Sequence, residues 1–225
     1  MLRTSELLDV RLDRKLDGFD EPQADMQNDY FMLMGDSLNQ WMTREGPPPE
    51  KQLVGVNWRQ RPVFVANPIN LRTRTGVLPK EPFPAYEGSC EPLLSAQAKS
   101  LLEPLAISHL QLLPADVSFE SGEVQRFWWL HTCRSIYCVD KKRAKGLFYS
   151  PREMLAIGKL VLDEHALAAI PLERRLIFRL GELLYTILLH SSLVDQLRGW
   201  EAEGFKFMPV EEWYHPDFIE DYHGP

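Results

Sequence analysis

Apolar residues between Leu155 and Phe207 fall into short runs, each closed by a polar residue or a glycine. The run 155–162 stops at Asp163, the run 175–180 stops at Gly181, and the run 183–189 stops at His190. Runs of this length between turn formers read as strands. Residues 191–200 then space Leu193, Leu197 and Trp200 at helical intervals, with Ser191 and Ser192 as two candidate N-caps. Gly204 closes that helix and Phe205-Lys206-Phe207 starts another extended piece. One stretch fits two patterns. Leu172, Leu176, Leu180, Leu183, Leu184, Ile187 and Leu188 also form a helical stripe entered from Pro171. Periodicity leaves one helix and two strands both open.

Upstream, Ser95 opens a helix over 95–103, which Pro104 ends, with Leu94, Ala98, Leu101 and Leu102 on one face. A strand follows over 107–113, with a turn expected at Pro114-Ala115-Asp116. The bulky run 126–132 reads as a strand, with one tryptophan of Trp128-Trp129 facing inward and the other half-covering the sheet, and 135–139 as a further strand. The first third is less regular. Residues 29–34 read as a strand ended by Gly35 and Asp36, 36–42 as a helical turn, and 62–65 as a strand entered from a proline. Prolines at 79, 82, 84 and 92 exclude a helix there and mark 78–92 as an extended connector. That connector is the candidate boundary between an irregular, proline-rich portion over 1–90 and an α+β domain over 91–225, with a segment wrapped over one continuous core as the alternative. The fold class is α+β: a mostly antiparallel C-terminal sheet with few helices, plus the irregular N-terminal portion. Gaps between strands are too short for most parallel crossovers, and no glycine-rich loop opens a helix as a nucleotide site requires.

Composition narrows the function more than the fold. The 225 residues carry a formal net charge of −7, with 25 Lys and Arg against 32 Asp and Glu. That balance argues against a nucleic-acid binder and favours attraction to basic partners. Three cysteines, Cys90, Cys133 and Cys138, form no disulfide framework and fit a reducing compartment. Charges throughout 1–18 leave no apolar signal core, and no run approaches the roughly 18 apolar residues of a membrane helix. The expectation is a cytoplasmic protein with no membrane and no nucleic-acid partner, a monomer or weak homodimer.

Candidate chemistry is sparse. His131, Cys133 and Cys138 have metal-ligand side chains but lack a second pair at a zinc spacing, so they read as structural and no metal is expected. Cys133 with His109, His165 or His190 offers the elements of a thiol–imidazole dyad, without the local sequence of a known cysteine nucleophile. No Gly-x-Ser-x-Gly turn is present. No catalytic residue and no cofactor are expected. The segment 211–223 is different: it alternates acids and aromatics and contains no lysine or arginine. Glu211, Glu212, Trp213, Tyr214, Asp217 and Phe218 are the candidate partner-binding residues, since aromatics anchor interfaces and acids steer a basic partner. The bland reading of the same residues folds the aromatics onto the core and leaves the acids in solvent.

Residues from about 92 to 210 also carry an ordered set of short motifs: Leu93-Leu94-Ser95-Ala96-Gln97-Ala98, Leu112-Leu113-Pro114, the aromatic run 127–130, Cys138-Val139-Asp140, Leu160-Val161-Leu162-Asp163, Ile177-Phe178-Arg179, the run 188–197, and Gly204-Phe205-Lys206-Phe207-Met208-Pro209. In their order they resemble the bacterial immunity-protein family numbered eleven, found beside polymorphic toxins. The chain departs from that pattern in two places. His131 or Thr132 stands where the family has an asparagine, and Lys141-Lys142-Arg143 replaces a serine after the acidic step. The resemblance implies two strands over 175–189. It also implies a protein that neutralises a cognate toxin by direct binding, in the setting of bacterial competition and type VI secretion. A nuclease acting in the cytoplasm is the toxin class that an acidic inhibitor suits. The alternatives are a hydrolase without a recognisable motif and an adaptor of a secretion system.

Overall fold

A computed structural model describes residues 29–35, 42–44, 62–73, 92–150 and 152–213. Twelve strands are placed among them: β1 Tyr30–Gly35, β2 Met42–Arg44, β3 Ile69–Thr73, β4 Leu93–Leu94, β5 Leu110–Ser118, β6 Val124–Thr132, β7 Ser135–Ile136, β8 Lys145–Ser150, β9 Glu153–Lys159, β10 Ile177–Leu180, β11 Leu183–His190 and β12 Phe205–Pro209. The α-helices are short: α1 Ala96–Leu102, α2 Glu164–Ala168 and α3 Ser191–Val194. Strands dominate and the sheets are largely antiparallel, so the fold is α+β, as the apolar runs indicate.

One five-stranded sheet runs β12-β1-β11-β10-β7 and a second runs β2-β3-β5-β6-β4; β8 and β9 form a separate hairpin. The parallel contacts are β10 with β7 and β3 with β5. The first sheet is central because both of its faces are covered. Tyr30, Met32, Phe178, Leu180 and Leu188 point to one core, shared with Met154 and Ile157 of the hairpin and Leu167 of α2. Ile177, Ile187, Leu189 and Phe205 point to the other, shared with α1, α3 and Leu130 of the second sheet. This explains the double pattern over 172–188. A strand buried on both faces carries a near-continuous apolar run, interrupted here by the buried Arg179 and Thr186, and such a run mimics a helical stripe. The turn at Gly181-Glu182 separates β10 from β11, and Leu172, the first residue of the supposed stripe, is exposed.

Strand β6 obeys the alternation read from its sequence. Phe127 and Trp129 enter a third core with Ile69, Leu71 and Val117, while Trp128 packs on the opposite side. Lys99 of α1 lies over the Trp128 ring, 5.1 Å from its centroid. Helix α1 starts as expected: the Ser95 hydroxyl accepts from the Ala98 N–H at 3.0 Å.

Several expectations are corrected. Pro114 does not turn the chain; it lies inside β5, opposite Trp128. The proline is accommodated because β3 pairs with β5 only from Ala115 onward, so no ladder donor is required of Pro114 from that side. Residues 62–65 are not a strand. They are tied to β5 by the Gln111 amide, which accepts from the Val63 N–H at 2.7 Å and donates to the Val63 carbonyl at 3.0 Å. The helix expected over 191–200 is α-helical only through Val194 and continues as a 3-10 helix, Asp195–Glu203. Its cap is neither serine but His190, whose side chain accepts from the Ser192 N–H. Gly204 does close it, at a φ of 81°. The expected turn over 36–42 and connector over 78–92 lie outside the described residues, apart from Met42 in β2 and the buried Pro92.

Strand β1, from the first third of the chain, lies between β11 and β12, with Tyr30 opposite His190 and Gly35 opposite Phe205. Strand β3 likewise joins β5. Both sheets therefore cross residue 90. The Tyr30 ring stands edge-on to Phe178 with centroids 5.7 Å apart, and the Arg175 guanidinium donates to its hydroxyl. No helix among the described residues is long and apolar enough to cross a membrane.

Candidate functional site

The acidic, aromatic C-terminal segment begins where β12 passes into a 3-10 turn, Val210–Glu212. Val210 is buried and anchors this turn, while Glu211 and Glu212 project into solvent. Trp213 is half-buried and packs against the core that contains Tyr30 and Leu188. Its indole N–H is shielded from solvent and meets no acceptor among the described residues. Tyr214, Asp217 and Phe218 lie outside the described residues. The described part thus has its acids outward and its tryptophan on the core.

The two described free cysteines have different surroundings. Cys138 is buried with Tyr30 and Phe178, and its thiol is held well above the usual range, by burial first and by Glu182 and Asp163 after it. Cys133 is half-buried, its Sγ 3.8 Å from the Gln111 amide oxygen. Among the described residues no three His, Cys, Asp or Glu side chains are placed to hold a metal. Backbone pairing does make His109 and Cys133 neighbours, with the Cys133 N–H donating to the His109 carbonyl at 2.8 Å. The imidazole, however, is committed elsewhere, since Nε2 donates to the Ile177 carbonyl at 2.8 Å. Burial lowers its pKa, more than the carbonyl raises it. Through that bond His109 ties the segment before β5 to β10 as a structural contact.

Sequence reading missed Glu182, the most interior acid described. It occupies the β10–β11 turn at 4% exposure. One carboxylate oxygen accepts from the Val139 N–H at 3.1 Å and the other from the Cys138 N–H at 3.3 Å. Its own carbonyl accepts from the Met154 N–H at 2.7 Å. Burial raises its pKa, against the lowering effect of those N–H groups. Both oxygens are occupied by backbone donors, so Glu182 fastens three segments together. The sequence signal is a lone carboxylate between two mostly apolar runs, 175–180 and 183–189.

A different surface has the features of an interface. In the β8–β9 hairpin Phe148 and Met154 face each other and turn inward, joined by Ile157, onto the core of the first sheet. The alternate positions, Tyr149 and Leu155, face out at 75% and 56% exposure. At the base of the hairpin Lys145 lies directly opposite Lys159, and both are exposed. The preceding turn carries Lys141, Lys142 and Arg143, and Arg152 follows at the far end; all four are exposed. Residues 140–159 carry six cationic side chains against two carboxylates, Asp140 and Glu153, in a chain whose net charge is −7. Asp140 shapes that turn. Its Oδ1 accepts from the Lys142 N–H at 2.9 Å and its Oδ2 from the Arg143 Nε at 2.7 Å. The Arg143 bond is the main reason its pKa is lowered.

No protein-family model matches this chain, and no curated protein matches it. The functional reading therefore stands on the residues, their placement and the motif resemblance.

Proposed function

We propose that the protein acts by binding another protein, as an immunity protein that neutralises a toxin by occluding its active site or substrate path. The observation that carries this reading is the β8–β9 hairpin. Its inner face is locked into the core, and its outer face presents Tyr149 and Leu155 to solvent. Large apolar side chains on a rigid support, rimmed by charge, are the usual makings of a protein interface. The ordered motifs of the immunity family support the same reading. So does the occupation of His109, Glu182 and Cys133 in structural contacts. We further propose a bacterial cytoplasm as the setting. A nuclease with a basic cleft is the toxin class that the exposed Glu211 and Glu212 would suit.

The test is co-expression with the product of the reading frame adjacent to this gene. The expected result is that this product alone arrests growth, that the present chain restores growth, and that the two purify as a complex. Growth arrest unaffected by the chain, with no complex formed, would remove the immunity reading.

A further inference from the structure

Resting on the immunity reading above, we infer that the segment Pro62-Val63-Phe64-Val65 is the part of this chain that enters the toxin, pairing as an extended strand along a groove and seating the Phe64 ring in an apolar pocket of that groove. Three observations lead there. The first is exposure: at 82%, Phe64 is the most exposed large apolar side chain among the described residues. A lone exposed apolar residue is ordinary in itself, so what holds it is decisive. Val63 is buried at 7%, and Val65 is half-buried against the same core, which also contains Leu71 and Trp129. The alternation in, out, in is that of an extended chain. The Gln111 amide bonds both the N–H and the carbonyl of Val63, and prolines at 62 and 68 fix φ on either side. The ring is thus presented from a chain that is already ordered, and a partner need not order it. The third observation is a free edge. In an extended chain the polar backbone groups of neighbouring residues point to opposite edges. Those of Val63 face Gln111, and among the described residues nothing bonds to the N–H or the carbonyl of Phe64. Phe64 therefore offers a donor, an acceptor and a ring together, the set used when an extended peptide adds to an open sheet edge.

The chemistry of the receiving site follows from the same residues. Residues 62–68 carry no charged side chain, in a chain of which 25% is charged. A basic, phosphate-holding cleft has nothing to neutralise there. An uncharged groove with main-chain groups along one wall and an apolar pocket matches it. The groove is therefore distinct from any phosphate site that Glu211 and Glu212 would face. It is also distinct from whatever meets the β8–β9 hairpin. The hairpin packs over one side of the first sheet, whereas Val63 packs over the side of the second sheet that faces away from the first.

The experiment measures binding of the full chain to the adjacent gene product, with a melting curve for every variant. Phe64→Ser is expected to weaken the complex at least about tenfold with an unchanged melting curve, because the ring is exposed. Phe64→Leu keeps an apolar side chain and the same backbone groups, and is expected to retain most of the affinity. Gln111→Leu acts through the segment. It is expected to weaken binding of the otherwise unaltered chain and to have no further effect once Phe64 is serine. The loss on Phe64→Ser is expected to be the same at about 0.1 M and about 1 M salt, since no charge takes part. Wild-type affinity of the Phe64→Ser chain would overturn the docking segment and leave the immunity reading intact. So would a loss confined to Tyr149→Ser with Leu155→Ser, or to Glu211→Gln with Glu212→Gln. Failure of the unaltered chain to bind would strike the immunity reading itself, and this inference with it.

Discussion

Two side chains, Glu182 and His190, pull the pH dependence of stability in opposite directions. Burial raises the folded pKa of Glu182 above its ordinary value of 4.5. Its contribution is therefore fully present below that value and is lost as pH rises through the raised one. His190 is lowered, chiefly by burial. Its contribution is present above the ordinary 6.5 and is lost as pH falls through the lowered value. The geometry agrees, because a protonated Nδ1 has no lone pair with which to accept from the Ser192 N–H. In melting curves taken across pH, His190→Asn is expected to keep an acceptor at the cap and to abolish the acid-side loss due to this group. Glu182→Ala leaves two interior N–H groups unanswered, at a cost of about 1–3 kcal/mol each in urea unfolding. A change below about 0.5 kcal/mol would show that the turn relaxes and that Glu182 is no fastening.

The elements were legible where one physical rule governed them and obscure where a side chain stood in for backbone. The alternation of β6 and the Ser95 cap were readable because each follows from local spacing. Pro114 was misread because its tolerance depends on where β3 begins, a partner some 45 residues away. The segment 62–65 was misread because the Gln111 amide imitates a strand edge. His190 was overlooked as a cap because serine is the commoner acceptor. The basic hairpin was visible only in part, as the run Lys141-Lys142-Arg143. Its cross-strand lysine pair and its outward tyrosine exist only once the register is set. Gly204 was read correctly as the end of the helix, and its φ of 81° makes a quantitative expectation. Gly204→Ala is expected to lower unfolding free energy by about 1–2 kcal/mol, measured by denaturant titration, because a Cβ is disfavoured in that conformation. An unchanged midpoint would mean that the turn into β12 is made another way.

At the scale of the whole molecule, the connectivity of the sheets bears on the division drawn near residue 90. A chain beginning at residue 91 lacks β1, so β11 and β12 lose the strand that joins them. It also lacks β3, and β5 then has an open edge. Such a fragment is expected to melt without a cooperative transition by circular dichroism. A sharp transition with native-like secondary structure would establish 91–225 as an independent unit. The placement of β1 reaches further, into the life of the nascent chain. Tyr30-Phe31-Met32-Leu33-Met34 leaves the ribosome before its partners, and the strands that flank it arrive only about 150 residues later, roughly 8–30 s at ordinary rates of synthesis. Throughout that interval a sticky pentapeptide waits unmated. How well a cell shelters it during that wait governs how much usable protein each message yields.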